Sequence, residues 1–440
     1  MSDRVVLVGV DGLDWEVTRR GIREGQLPTL KRLLERGAFA EVAVAACTPG
    51  LFGPEAGMAS PTLWTTIATG QYYFQHGVYD FSNLLDSVEH PPLFESRHVL
   101  SPRLWDVLGC YGVKSLVVGY YVTHPAYEID GVMVSDMFGE SRNGKVTWPP
   151  ERCDDLARLL GCADYSSHVE RQERWAAQIT ATTPVEWASL IDLRAVCEAA
   201  LSQFTDLDDA ERKNLLESEA ENVWRRLVWN RLIYPFVRDE SYHKVFLSLL
   251  ADEPWRFATV YYRLIDFVGH GFWMEGNRVP TSFARAYGQV VDQAYRQMDA
   301  YLGQIEQALD EKDLLIILSD HGFASQEISL DVNPQTDLAH LTCGHHRDPA
   351  VLMVRGHQAG EFRNVSLLDI APTILDYFGV PQSETLDGGP VPGLLRAGGP
   401  RELAKVAFYP HTRPAESGYM SEAEERLVLE RLAALGYLDA

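Results

Sequence analysis

The chain of 440 residues is two to three times a typical single domain, long enough for a large core and an inserted lobe. With 46% hydrophobic and 23% charged residues, global disorder is excluded. The formal net charge of −23 predicts repulsion from nucleic acids and anionic lipid surfaces, so an anionic substrate would need local positive charge such as bound metal ions.

In chain order, Met1-Ser2-Asp3-Arg4 leads at once into the β-branched run Val5–Val10, without the basic, apolar and small-residue order of a secretion signal. The run predicts a buried parallel strand, closed by Asp11-Gly12. An Asp there is a turn former or a metal ligand. Ser60-Pro61 predicts a helix N-cap with Pro at the first helical position, in a helix that ends at Gly70. A hydroxyl there can simply cap, or it can face the positive helix end as a nucleophile toward phosphate. Leu116–Val118 and Val132–Val134 predict further strands.

From Cys162 to Val268 there is no glycine, although the chain holds 34, and Leu216, Ala220, Val223, Trp224, Leu227 and Leu232 recur at helical spacing. This predicts a helical insertion or cap over 151–250. After the run Phe257–Tyr261, Asp266 and His270 lie four apart, which suits one face of a helical turn. Leu314–Leu318 runs into Ser319-Asp320-His321-Gly322, again a carboxylate and an imidazole at a strand end. His340–Arg347 holds three histidines and Cys343, and reads as a solvated loop or as a source of metal donors. The strand Ala350–Val354 follows. A C-terminal extension over 401–440 carries an amphipathic helix, Ser421–Tyr437, with Ser421 and Glu424 as a capping box.

Alternating strands and helices predict an α/β protein whose ligands collect at the carboxyl ends of the strands. No run is long enough to span a bilayer. Six scattered cysteines without a CxxC predict reduced thiols and a cytoplasmic protein.

As a set, V-x-V-D-G at Val8–Gly12, the Ser60–Gly70 segment with His76-Gly77, D-x-x-G-H at Asp266–His270, S-D-H-G at Ser319–Gly322 and G-H-H-R at Gly344–Arg347 resemble the alkaline phosphatase superfamily. The nearest branch is type I phosphodiesterase/nucleotide pyrophosphatase. Leu368–Leu375, followed by Gly379-Val380-Pro381, resembles the closing helix of that family. The resemblance implies a mostly parallel central sheet flanked by helices, a core made of 1–150 and 251–400, and two divalent metals, zinc above all, with manganese or iron as alternatives. It assigns Asp266, His270 and His346 to one metal and Asp11, Asp320 and His321 to the other, with Ser60 bound to or bridging them. His345 is the competing register for His346. Counting back ten positions from Gly70, the family spacing selects Ser60 over Thr62 as nucleophile.

The implied chemistry is two in-line displacements through a phosphoseryl enzyme, acting on a small phosphorylated substrate. Two departures bear on it. Many family members carry Thr as nucleophile and Asn three residues later; here the residues are Ser60 and Leu63. Sulfatases want Pro two later and Arg four later, whereas Pro61 is one later and Trp64 four later. The alternatives are a phosphomonoesterase, phosphonate hydrolase or phosphomutase-like enzyme, and an inactive metal-binding module that recruits a partner. Trp15, Trp64, Tyr72 and Tyr79 are aromatic candidates for the rest of the substrate, or ordinary packing.

Overall fold

A computed structural model describes residues 4–44, 58–83, 92–141, 145–177, 210, 231–232, 234–273, 281–333, 338–356 and 360–410. The strands are β1 (Val5–Val10), β2 (Ala38–Ala43), β3 (Ser115–Val118), β4 (Gly131–Val134), β5 (Thr147–Trp148), β6 (Phe257–Tyr262), β7 (Leu314–Leu318), β8 (Gly322–Asn333), β9 (Leu338–Arg347), β10 (Ala350–Arg355) and β11 (Gly360–Ser366). Nine of them form one sheet in the order β11-β2-β10-β7-β1-β6-β3-β4-β5, while β8 and β9 make an antiparallel ribbon. The consecutive pairs from β7 through β1, β6 and β3 to β4 are all parallel; β10 enters antiparallel between β7 and β2. The predicted α/β sheet is therefore present and mostly parallel.

The continuous apolar runs have a simple cause, because β1, β6 and β7 are buried along their whole length. Val6, Val8 and Val10 of β1 enter one core layer while Val5 and Leu7 enter the other. Against the first layer pack the helices Trp15–Arg23, Pro28–Arg36, Tyr234–Asp252 and Thr281–Ala308; against the second, Ser60–Thr69, Leu104–Cys110 and Ile370–Phe378. The two layers make the three-decker expected of such a sheet.

One close approach fixes the height of the Ser60 helix. A Cβ on Gly9 would lie 2.7 Å from two ring carbons of Trp64, so glycine in β1 lets that indole come close to the strand. Most of the predicted insertion over 151–250 lies outside the described residues. Its ends are helical, Arg152–Leu159 and Tyr165–Ala177 before and Tyr234–Asp252 after. The last of these packs on β6 through Tyr242, Val245 and Phe246. The predicted helix Ser421–Tyr437 also lies outside the described residues. Among the described residues, no helix is long and apolar enough to cross a membrane.

Candidate metal centre

Three adjacent parallel strands deliver the acidic residues. Asp11 follows β1, Asp320 and His321 follow β7, and β6 runs through Arg263 into the helix Leu264–Phe272, which presents Asp266 and His270 one turn apart. That helix has no cap from its own first residues; instead the buried Asp239 accepts the backbone N–H groups of Arg263 (3.0 and 3.1 Å) and Leu264 (2.9 Å). His346 arrives from β9. A Cβ on Gly344 would meet the Gly269 carbonyl at 2.5 Å and Trp273 at 2.7 Å, so glycine allows the ribbon to reach the helix.

Each histidine is oriented by a backbone carbonyl. Nδ1 of His346 donates to Met58 O (2.9 Å), Nδ1 of His270 to Gly344 O (3.2 Å) and Nδ1 of His321 to Gly322 O (3.1 Å). A carbonyl only accepts, which puts the proton on Nδ1 and leaves the Nε2 lone pair for a metal. The Nε2 atoms converge. His270 Nε2 is 2.9 Å from His346 Nε2 and 3.4 Å from Asp266 Oδ1, and His346 Nε2 is 3.2 Å from Asp266 Oδ1. Beside this triad, His321 Nε2 lies 3.2 Å from Asp11 Oδ1 and 3.4 Å from Asp320 Oδ2. Donors around a tetrahedral ion with bonds of about 2.1 Å stand roughly 3.4 Å apart, so both triads have the right size. Asp11, Asp320 and His321 form one group able to hold an ion; Asp266, His346 and His321 form another. His321 links the two, with its ring stacked on His346 at 3.6 Å between centroids.

The electrostatics ask for cations. Burial, then Asp11 and Asp266 nearby, push the Asp320 carboxyl well above the usual range. Burial also opposes charge on Asp266, but His270 and His346 hold it well below that range. Burial takes His270 down to about 4 despite Asp266. Asp320 Oδ2 and His321 Nε2 are enclosed and have no hydrogen-bond partner. Buried polar atoms are seldom left so, and a divalent ion would satisfy both.

Ser60 is the first residue of its helix; Ala59, not Ser60, is the N-cap, and Pro61 follows one position deeper than the sequence pattern predicts. The reason is that Ala59 O already accepts from Thr62 and Leu63, so the helix starts one residue earlier. Ser60 Oγ is buried and 3.5 Å from Asp11 Oδ1, at the triad of Asp11, Asp320 and His321. The Thr62 hydroxyl is buried without a hydrogen-bond partner. Leu63 is fully buried in the second core layer.

The seven candidate residues thus come together in space. His345 lies opposite Ala324 in the ribbon, and among the described residues no hydrogen bond or ion pair joins it to the triads. The side chains of His340 and Cys343 lie outside the described residues. Trp15 packs tilted against Phe39, Tyr72 stacks on Phe74 and Tyr79 is edge-on to Phe94; of these four, Trp64 adjoins the site, edge-on to Tyr261. Sequence reading misses Tyr261, whose hydroxyl donates to Asp11 Oδ2, because a Tyr in a buried strand run reads as core. It also misses Asp14. That carboxylate caps the helix Trp15–Arg23, accepts the Phe323 N–H (3.1 Å) and pairs with Arg347 (2.8 Å), tying β1 to both strands of the ribbon. The capping pattern Asp14-x-x was the available signal.

Residues 5–368 match the type I phosphodiesterase / nucleotide pyrophosphatase family. A 2,3-bisphosphoglycerate-independent phosphoglycerate mutase of Thermomicrobium roseum is 28% identical over 149 residues, which are 32% of this chain; the chain spans about a quarter (25%) of the length of this curated relative. Among solved structures, the alkaline phosphatase PafA is similar at 13% identity and a TM-score of 0.49, covering 89% of this chain and 98% of that one. Human ectonucleotide pyrophosphatase/phosphodiesterase 5 has 12% identity and a TM-score of 0.43 over 86% of this chain and 95% of that one. Phosphonoacetate hydrolase from Sinorhizobium meliloti 1021 has 13% identity and a TM-score of 0.40 over 75% and 59%. These structural likenesses are loose, and the assignment rests on the match over 5–368. The chain belongs to the type I phosphodiesterase / nucleotide pyrophosphatase family.

Proposed function

We propose that the protein hydrolyses small phosphorylated molecules as a phosphodiesterase or nucleotide pyrophosphatase, with Ser60 carrying the phosphoryl group between two displacements. The observation that supports this most is the meeting of three outward Nε2 atoms and three carboxylates beside the Ser60 hydroxyl at the ends of β7, β1 and β6. Asp266, His270 and His346 would hold one divalent ion and Asp11, Asp320 and His321 the other; the mixed nitrogen and carboxylate set suits zinc, with manganese or iron as alternatives. Bound ions supply Lewis acidity and charge neutralisation.

The chain's own residues do the rest. The carbonyls of Met58, Gly344 and Gly322 keep each imidazole aimed. Tyr261 fixes the Asp11 carboxylate by donating to Oδ2, which leaves Oδ1 toward Ser60. Ser60 Oγ, losing its proton, forms a bond to phosphorus as the ester oxygen leaves. Water then displaces Ser60 from phosphorus, which frees phosphate or a monoester and restores the hydroxyl. Asp11 Oδ1 is the carboxylate oxygen closest to hand for the Ser60 proton.

Leu63 favours a second reading. It stands, fully buried, where the family usually offers an amide donor to the phosphoryl oxygen, so a phosphomonoesterase, phosphonate hydrolase or phosphomutase-like activity stays open to this site. The free thiols Cys110, Cys153 and Cys162 support a reducing, cytoplasmic setting.

The deciding experiment pairs metal analysis with hydrolysis of nitrophenyl phosphate and bis-nitrophenyl phosphate. About two divalent ions per chain, loss of activity on chelation and recovery with zinc are expected. Faster turnover of the diester supports the first reading and faster turnover of the monoester the second. Full activity in metal-free protein would sink both.

A further inference from the structure

Arg263 sits where β6 leaves the sheet, three residues before Asp266. Its guanidinium lies over the Tyr121 ring, with Cζ 4.2 Å from the centroid, and 5.5 Å from the centroid of Tyr261. The two rings are 4.9 Å apart, and the Tyr261 hydroxyl donates to Asp11. The cation is therefore one aromatic ring away from a residue of the candidate metal centre.

What it lacks is an anion in contact; Asp136 and Asp239 favour its charge without pairing with the guanidinium. Its Nε is enclosed without a hydrogen-bond partner, and among the described residues no ion pair or side-chain hydrogen bond engages the guanidinium. Its neighbour Arg238 is different. That guanidinium has Glu140 at 3.2 Å and donates to the Asp136 carbonyl. Arg238 also opposes charge on Arg263 rather than balancing it. Stacking on aromatic faces returns only part of what desolvating a guanidinium costs, and a fork of N–H donors is suited to a carboxylate or phosphate.

The platform under it is held under strain. Val122, next to Tyr121, has φ 57°, a left-handed conformation that a β-branched residue rarely adopts. Such a conformation persists only where the surroundings impose it. Here Asp136 Oδ2 accepts the Val122 N–H (2.9 Å) and Arg103 donates to the Val122 carbonyl (3.1 Å).

We infer that Arg263, stacked on Tyr121 and Tyr261, is a specificity-determining subsite for a second anionic group of the substrate, a carboxylate or a second phosphate, beyond the phosphoryl group at the metal centre. The inference rests on the hydrolase reading for the placement of that first group. A half-buried arginine with no carboxylate paired to its guanidinium, in a chain of net charge −23, selects ligands that bring that partner themselves.

The test uses non-hydrolysable probes on the zinc-loaded full chain: phenylphosphonate, 4-carboxyphenylphosphonate and 1,4-phenylene bisphosphonate, each titrated by calorimetry. The wild type should bind the two doubly anionic probes at least about tenfold more tightly than phenylphosphonate, the scale of one charge-assisted hydrogen-bond pair. Arg263→Gln should abolish that preference, and Arg263→Lys should keep part of it, since an ammonium keeps the charge and loses the fork. A carboxylate preference without a bisphosphonate preference, or the reverse, names the source of the anion. Equal affinities in the wild type overturn the inference, as does a preference unchanged in Arg263→Gln. If the anion preference holds but no phosphate ester is hydrolysed, the subsite stands and the hydrolase reading falls.

Discussion

His346 donates from Nδ1 to the carbonyl oxygen of Met58, 2.9 Å away and two residues before Ser60. One imidazole thus reaches Asp266 with its other nitrogen and anchors the approach to the Ser60 helix with this one. Positioning of the Ser60 hydroxyl and of the candidate metal donors is coupled through a single ring.

That coupling predicts a double defect in His346→Ala. Metal analysis should show weakened retention of one ion, and kcat should fall at least about 100-fold. His345→Ala should keep both ions and most of the activity. Equal losses at 345 and 346 would show that the register of this ribbon is wrongly read.

Ser60→Ala should lose turnover by at least about 1000-fold while still binding two ions. Thr62→Ala should keep most of it. A shift of two residues moves a hydroxyl about 3 Å along the helix and roughly 200° around it, which takes Thr62 off the Asp11 side. Mass spectrometry of acid-quenched enzyme should find phosphate on Ser60; phosphate on Thr62 would reverse the assignment.

Gly9→Ala tests the seat of the helix. The added methyl meets the Trp64 ring at 2.7 Å, and both are in the tightly packed second layer. Thermal or urea unfolding should show a loss of about 1–3 kcal/mol. Because the displaced helix carries Ser60, kcat should drop by more than stability alone explains, with metal content unchanged. Normal kcat in a folded Gly9→Ala protein would argue against this coupling.

His76 predicts part of the acid sensitivity. It is buried, its Nδ1 accepts the Val78 N–H (3.2 Å), and its Nε2 side bonds the Thr66 hydroxyl (3.0 Å). Burial, then Arg103, takes it down to about 3 from 6.5. A depressed folded-state value means that the unfolded chain takes up the proton first. The contribution of His76 is therefore complete above pH 6.5 and is lost as pH falls toward about 3, by roughly 1.4 kcal/mol per unit. His76→Gln should flatten urea-derived stability between pH 6.5 and 4; an unchanged slope would remove His76 from the account.

Much of the site was legible because strand-end carboxylates announce themselves. Asp11 and Asp320-His321 each end a buried apolar run, and Asp266 with His270 has helical spacing directly after another. Other parts are products of tertiary structure. The side chain of Asp239 caps the Leu264 helix from 24 and 25 residues away, which no local capping pattern reveals. The carbonyls that orient the histidines carry no sequence signal, since every residue has one. Ser60 as first helical residue instead of N-cap was decided by Ala59, whose side chain offers nothing to a capping rule. Arg263 carries no sequence signal, because the Tyr121 ring beneath it comes from a distant part of the chain.

The order β7-β1-β6 also acts as a ruler. Hydrogen-bonded neighbours in a sheet stand about 4.8 Å apart, close to the roughly 3.5–4 Å that separates paired ions in two-metal phosphatases. Stepping one strand sideways, from Asp11 after β1 to Asp266 beyond β6, therefore spaces the two candidate donor sets by a dimension that backbone hydrogen bonds fix. Lengthening the loops beyond the strand ends leaves this interval alone and changes only what surrounds it. Inserting one residue within β1 does the opposite: it turns Val5–Val10 over, exchanges its two core faces and carries Asp11 out of step with both neighbours. The peptide ladder, more than any side chain, keeps the gauge of the centre, which leaves its outer walls free to change from one substrate to another.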